Sequence, residues 1–478
     1  MKKFLAVLLA FILFIPESIF AIPGAYAESA ADELPPEAYA LRWREDGTAE
    51  IMRVDIGDAQ RVVIPSEIDG QTIVSIGQSA FQDRKNLVSV TIPDTVTSIG
   101  DYAFYGCEKL ESLTLPNSLE SIGYGAFSRC DSLKEARLPS SLQTLGDFAF
   151  FGCSELESVT IPDSLTSIGH GVFSWSNRLF EVIISPDHPA YAYGNYALTD
   201  KRDQTLVHYI GPIQIDYEVP QGIEKIGDDA FAYRDFKSIV LPQGVKVIGD
   251  RAFTSTNLGK IIIPDSVTSI GFKAFYSTKS LKSIRIPASV TEIGGNNFSW
   301  CNMEKIEVDP ANPVFEMQDN MLINKAEHKL VFHLDLDRGA VRVPEGIEII
   351  GRGAFENSAQ MKDVILPDTV REIGEDAFAT CNSLTTLSLP QGIQTIEGGL
   401  IRHSKSIRSI TLPEGVKTLK NKAIYSCENL EEIIIPASVT EIGSIAIYDC
   451  PKLTCKVTEG SEAQKYCEKN EIRYEIQK

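Results

Sequence analysis

Apolar residues recur along most of this chain in a motif too short for an amphipathic helix and too irregular for one long strand. The stretch Leu110 to Gly123 reads LESLTLPNSLESIG and continues as YGAFSRC before the next leucine, Leu133. Leu110, Leu113 and Leu115 stand three and two apart, and the last pair alternates as a short half-buried strand does. Pro116 closes that strand, because it has no N–H to give to a further ladder bond. Leu119 and Ile122 begin a second side. Gly123 permits a tight corner, and Ala126-Phe127 turns the chain back toward the core.

The motif repeats at a fixed interval. Sixteen of the 24 prolines, from Pro65 to Pro436, sit at this strand end, and eleven of the fifteen intervals between them are 22 or 23 residues. A period of that size is the mark of a repeat solenoid. The roughly three domains that 478 residues would suggest therefore give way to one array of 22–23-residue coils over 62–453. The slot that Phe127 occupies holds Phe in most coils and Leu400, Ile424 or Ile447 in the last ones, so it is a packing slot with no ligand role. Seven of the nine cysteines (Cys107, Cys130, Cys153, Cys301, Cys381, Cys427 and Cys450) lie 14 residues after a ladder proline. Other coils place Ser176, Thr256, Thr278, Ser358 or Ser404 there. A position that accepts Cys, Ser or Thr calls for a small weak donor to a turn carbonyl, and neither zinc nor a disulfide tolerates that exchange. Cys455 and Cys467 fall outside the ladder and can approach each other, but the odd total leaves their pairing open.

This proline-closed strand with its Ile/Leu-Gly corner and Ala-Phe turn resembles the BspA-like, or Treponema-type, leucine-rich repeat family from about Val62 to Leu453. The resemblance implies a curved, right-handed leucine-rich-repeat β-solenoid. It further implies display outside the cell, often as a bacterial surface adhesin that binds host or partner-bacterium proteins.

The flanks read differently. Residues 1–27 begin with Lys2 and Lys3, run apolar from Phe4 to Ile15 and end in Ala25-Tyr26-Ala27, the layout of a secretory signal peptide. Residues 28–38 read as a disordered leader, and 39–61 as an N-terminal β-hairpin cap around Asp46-Gly47. The cap expected over 454–478 has a short helix from Ser461 to Lys469, with Ser461 as N-cap, and a strand at Ile472 to Ile476. Two 34-residue proline intervals carry matching hairpin insertions, 187–219 and 311–343. They share Asp187-His188-Pro189 and Asn312-Pro313 entries, and Leu206-Val207-His208-Tyr209 matches Leu330-Val331-Phe332-His333.

Charge narrows the partner. The net charge is −20; the signal segment carries +1 from Lys2 and Lys3 against Glu17, so its removal leaves about −21. Without a long basic run, that balance disfavours nucleic acid and anionic membranes. No His-Glu-x-x-His, Walker, Gly-x-Ser-x-Gly or calcium-loop spacing occurs, which leaves no catalytic, cofactor-binding or metal-binding assignment. In the strand motif, the residue between the second and third leucines faces outward. Candidate partner-binding residues on that row are Thr114, Arg137, Thr160, Ile183, Val240, Ile262, Arg285 and Arg342, joined by Tyr191, Tyr193 and Tyr196 of the first insertion. Insertions collect on binding faces, and tyrosine is favoured at interfaces. The same row is also what strand propensity on a solvated face would select. The expected function is an exported, non-enzymatic, adhesin-like scaffold for a host-matrix or other surface protein. The alternative is a self-associating component of a cell envelope or matrix.

Overall fold

The computed structural model describes residues 32–336 and 339–477. The signal-peptide reading of 1–27 and the first residues of the expected leader lie outside them. The described chain is a β-solenoid with three sides per coil. On the first side, the strands that end at the ladder prolines stack in parallel, as in Ser89–Thr91, Ser112–Thr114 and then Glu135–Arg137, Ser158–Ile161 and Glu181–Ile184. On the second, two-residue strands such as Ser98–Ile99, Ser121–Ile122 and Thr144–Leu145 pair in register. The third side is the Ala-Phe turn. Its ladder is made by backbone bonds from alternate residues of one coil to the next, as in Tyr102 N to Tyr124 O and Phe104 N to Ala126 O at 2.7 Å and Gly106 N to Ser128 O at 2.9 Å.

The corner between the second and third sides explains its glycine. A Cβ on Gly146 would stand 2.6 Å from the Gly123 carbonyl carbon, so the backbone of the preceding coil occupies the space of a side chain. Inside, phenylalanines stack in columns, with ring centroids 5.2 Å apart for Phe104–Phe127 and 5.3 Å for Phe127–Phe150. Truncating one such ring to alanine costs about 3–5 kcal/mol.

The two insertions divide the apolar core into three clusters, which meet around Ala197 to Ile210 and around Met321 to Leu334. Each insertion is an antiparallel meander, Tyr191–Gly194, Ala197–Asp200, Thr205–Tyr209 in the first and Phe315–Gln318, Met321–Asn324, Lys329–His333 in the second. The last strand of each meander returns to parallel pairing with the next coil. The insertions also carry the aromatic column across the gap. Phe173 contacts His208 and Tyr209 contacts Phe231, while Phe298 contacts Phe332 and His333 contacts Phe355.

The entries use one device with two residue types. His188 Nδ1 accepts from the Ala190 and Tyr191 amides, and its Nε2 meets Pro162 O at 2.9 Å. Asn312 Oδ1 accepts from the Val314 and Phe315 amides, and its Nδ2 donates to Pro287 O at 2.7 Å.

On the third side the insertions reach only the inner position, where Tyr209 N meets Ala230 O at 2.9 Å and His333 N meets Ala354 O at 2.8 Å, and they are absent from the outer part of the turn. There, residues 58 positions apart touch as though one coil apart, with Trp175 and Tyr233 ring centroids 5.6 Å apart and Arg234 Nη2 3.0 Å from Ser176 O. The second joint repeats this closure through Asn296 N and Arg352 O at 3.3 Å.

The expected leader needs correction. Asp32–Glu33 forms a strand beside Val62-Val63, and Pro36–Ala38 is a 3-10 turn, because the first side needs a partner for its outermost strand. Next to it, Tyr39–Trp43 and Thr48–Val54 form a hairpin that starts the second-side sheet. At the other end, the helix Glu462–Lys469 is capped by Ser461, and Arg473–Ile476 pairs with Thr454–Val457. Tyr466 meets the third-side edge there, its hydroxyl 2.9 Å from Ile447 N and 3.2 Å from Ile447 O.

The shared entry device yields a test. His188→Asn is expected to leave stability within about 1 kcal/mol, whereas His188→Leu leaves the Ala190 and Tyr191 amides unpaired and costs at least about 1–3 kcal/mol. Urea midpoints of the two variants decide it.

Candidate functional site

The outward row of the first side runs through short parallel ladders. Thr91 pairs with Thr114, Arg137 with Thr160, Thr160 with Ile183, and Val240 with Ile262. Arg285 pairs with Glu307, Arg342 with Ile365, and Ser388 with Thr411 and then Ile434. Thr114, Arg137, Ile183, Val240, Ile262, Arg285 and Arg342 are exposed, and Thr160 is half-buried. The apolar members are unusually open, with Ile262 at 58%, Ile183 at 49% and Val240 at 46% exposure. Phe180, at the entrance to the Ile183 strand, is 66% exposed. Arg137 pairs with Glu135, and Arg285 spans two coils to reach Asp265 and Asp309. The row thus mixes bare β-branched side chains with locally neutralised arginines.

The three insertion tyrosines separate. Tyr191 is buried, which corrects its placement among partner-contacting residues. Its hydroxyl receives the Ile168 amide at 3.0 Å and lies 3.3 Å from Thr166 O, so it stands in for the coil that the insertion removes from the second-side ladder. Tyr193 is half-buried and donates to Ile210 O at 2.8 Å. Tyr196 remains exposed, against the Tyr209 ring.

The cysteine slot holds the donors that the Cys/Ser/Thr exchange called for. Cys107 Sγ donates to Phe81 O at 3.2 Å, Cys153 to Phe127 O at 3.2 Å, and Ser176 Oγ to Phe150 O at 2.9 Å. Burial pushes the Cys107, Cys153 and Cys301 thiols up to about 12, so they stay protonated and are poor nucleophiles or metal ligands. All nine cysteines are free thiols, Cys455 and Cys467 among them, and both of these are buried. Among the described residues, no group of three or more His, Cys, Asp or Glu is placed to hold a metal ion. No described helix is long and apolar enough to cross a membrane. His208 and His333 are both buried in the aromatic columns.

A second surface was not foreseen from the outward row. On the third side, Tyr102, Tyr105, Tyr124, Phe148, Phe151 and Tyr233 line a groove of about 550 Å³. Its sequence signal is an alternation: Tyr102, Gly125, Phe148 and Gly171 share one coil position, and Tyr105, Ser128, Phe151 and Ser174 share another. The alternation is spatially required, since a Cβ on Gly125 would stand 3.1 Å from the Tyr102 ring and one on Gly171 2.4 Å from the Phe148 ring.

Comparison with known proteins agrees with this architecture. The family described as the BspA-type leucine-rich repeat region matches residues 67–197, 214–325 and 332–454, in six copies. A leucine-rich cell surface protein of Faecalibacterium prausnitzii is 28% identical, covering 92% of this chain and 98% of that one, with a TM-score of 0.40. A leucine-rich repeat protein of Bacteroides ovatus is 24% identical, covering 94% and 100%, with a TM-score of 0.42. The Treponema pallidum leucine-rich repeat protein is 25% identical, covering 52% and 91%, with a TM-score of 0.33. No curated protein matches the chain.

Two substitutions test the buried polar groups. Cys153→Ser keeps a donor for Phe127 O and should shift the urea midpoint little, while Cys153→Val leaves that carbonyl only the Cys130 amide and costs about 0.5–1.5 kcal/mol. Burial, with the Arg234 charge adding to it, holds His208 neutral with its pKa down at about 3. The unfolded chain takes up that proton near the ordinary value of about 6.5. Its contribution is therefore complete above that pH and is lost toward pH 3, at up to about 1.4 kcal/mol per pH unit. His208→Phe, which installs the side chain of the equivalent Phe332, should gain on the unsubstituted chain as pH falls from 7.5 to 4.5, read as melting temperature.

Proposed function

We propose that this chain, which belongs to the BspA-type leucine-rich repeat family, is a non-enzymatic scaffold that binds a protein partner outside the cell in the manner of an adhesin. The observation that carries this reading is the adjacent pair of bare apolar side chains Val240 and Ile262 on the outward row, with Ile183 and the exposed Phe180 on the other side of the first insertion. Contiguous exposed apolar side chains rimmed by polar ones mark interaction surfaces. Burial of such groups supplies about 25 cal/mol for each Å² of apolar area removed from water. Arg137 and Arg285 sit on the same face, and arginine is enriched at the cores of protein interfaces. The signal-like residues 1–27 support export, and a host-matrix or other surface protein is the class of partner that export makes reachable.

The mature chain, immobilised and exposed to extracellular-matrix and bacterial-surface extracts, is expected to retain a defined protein. The Val240→Asp/Ile262→Asp double variant should reduce that retention at least about tenfold, since two charged residues replace apolar contacts at an interface core, with an unchanged melting temperature. A chain that retains no protein from either extract would sink the reading. Scattering mass that grows with concentration would favour self-association instead.

A further inference from the structure

The third-side groove has a geometry of its own. Tyr102 and Tyr105 meet at 81° with centroids 5.8 Å apart, and two coils on Phe148 and Phe151 meet at 79° and 5.8 Å. Between the two pairs stands Tyr124, tilted by about 60° against both Tyr102 and Phe148. The floor under it is kept low by Gly125 and the buried Ser128. Beyond the second pair, Tyr233 packs on Phe151 from across the first insertion and closes that end. The result is a corrugated trough with an aromatic cleft at every second coil.

The corrugation sets a length. The core phenylalanines beneath step 5.2 and 5.3 Å per coil, so the two clefts recur at about 10 Å. Three residues of a polyproline II helix span about 9.3 Å and complete one turn, bringing residues i and i+3 to the same face. That helix makes no internal hydrogen bonds, so its carbonyls need donors, which Gln82 and the Tyr102, Tyr105 and Tyr124 hydroxyls supply at the walls. Charge points the same way. Asp147 acts on the Tyr124 hydroxyl and Asp101 meets the Tyr124 amide, while the nearby Arg251 is paired with Asp229 and Arg129 reaches the Tyr105 hydroxyl, in a chain of net charge −20. Asp101 and Asp147 each spend one oxygen, Oδ1, on the backbone amide of the next coil, at 2.8 Å to Tyr124 N and to His170 N. Rings set edge to face make clefts, not the open coplanar faces on which a sugar ring stacks.

We propose that this trough binds a proline-rich peptide segment in polyproline II form, with prolines three residues apart in the two clefts and a lysine or arginine beside them at the acidic rim. The assignment rests on the protein-binding reading above and gives the partner a chemistry. Aromatic-lined grooves bind such segments favourably because the peptide is already extended and loses little entropy.

A fluorescent synthetic peptide with two Pro-x-x-Pro turns followed by arginine, titrated into the mature chain, reports binding by anisotropy. Saturable binding is expected, weakened at least about tenfold by Tyr105→Ala or Phe151→Ala. It should be lost when the peptide prolines become alanine. Asp147→Asn keeps the acceptor for His170 N and removes only charge, so it should weaken the arginine peptide and leave an alanine-flanked peptide unaffected even if a ring variant misfolds. Val240→Asp/Ile262→Asp should leave peptide binding unchanged. No peptide binding by a chain that still retains a protein from extracts overturns the trough assignment alone; no binding of either kind overturns both readings. Binding of β-linked oligosaccharides, lost in Phe151→Ala while the peptide fails to bind, would replace the peptide with a glycan.

Discussion

Every coil of this protein leaves its backbone groups to be completed by the next coil, and that obligation governs the rest of the structure. A two-residue strand such as Ser121–Ile122 has no stability of its own. It persists because Ser98–Ile99 and Thr144–Leu145 flank it in register and the phenylalanine column anchors the turn behind it. Wherever the stack is interrupted, a side chain substitutes for the missing backbone. Tyr191 serves Ile168, Tyr466 serves Ile447, and His188 and Asn312 turn the chain into each insertion. The thiol and hydroxyl ladder is the same rule at smaller scale, since each donor meets a carbonyl that the turn alone leaves short of partners.

The insertions follow from that rule. A meander can be added on the first and second sides because its strands bring their own pairing partners. On the outer part of the third side no strand is added, and the coils that flank each insertion meet there directly. Trp175 then meets Tyr233, and at the second joint the buried Glu356 draws in Asn296, Trp300 and Arg402. Both the outward row and the aromatic trough are therefore set by where extra chain is tolerated.

Much of this was written in the sequence. The proline interval, the Ile-Gly corner and the exchange of cysteine for serine each report a local requirement that recurs fourfold or more, so noise in one coil is corrected by the others. The order in residues 32–38 was not legible, because Asp32–Glu33 is a strand only through an edge that the array offers it. The burial of Tyr191 escaped for a similar reason: a tyrosine in a polar hairpin looks exposed until the ladder end it completes is known. The trough was half legible. The alternation Tyr102, Gly125, Phe148, Gly171 is visible in the sequence, but its meaning depends on the ring of one coil lying over the glycine of the next.

A perfectly periodic surface has a weakness as a recognition site. If every coil offered the same outward residue, a partner could slide by one coil, about 4.8 Å, with little change in energy, just as a uniform strand pairs in several registers. The outward row escapes this only in part, since Thr91, Thr114 and Thr160 are the same residue in successive or nearby coils. The aromatic trough does not repeat. Its coil positions revert to Asp229, Arg251 and Lys273 after the first joint, so it occurs once among the described residues and is fixed to one end of the molecule. An extended surface that supplies area, paired with a single irregular groove that supplies register, gives a repeat protein one bound position along its own axis.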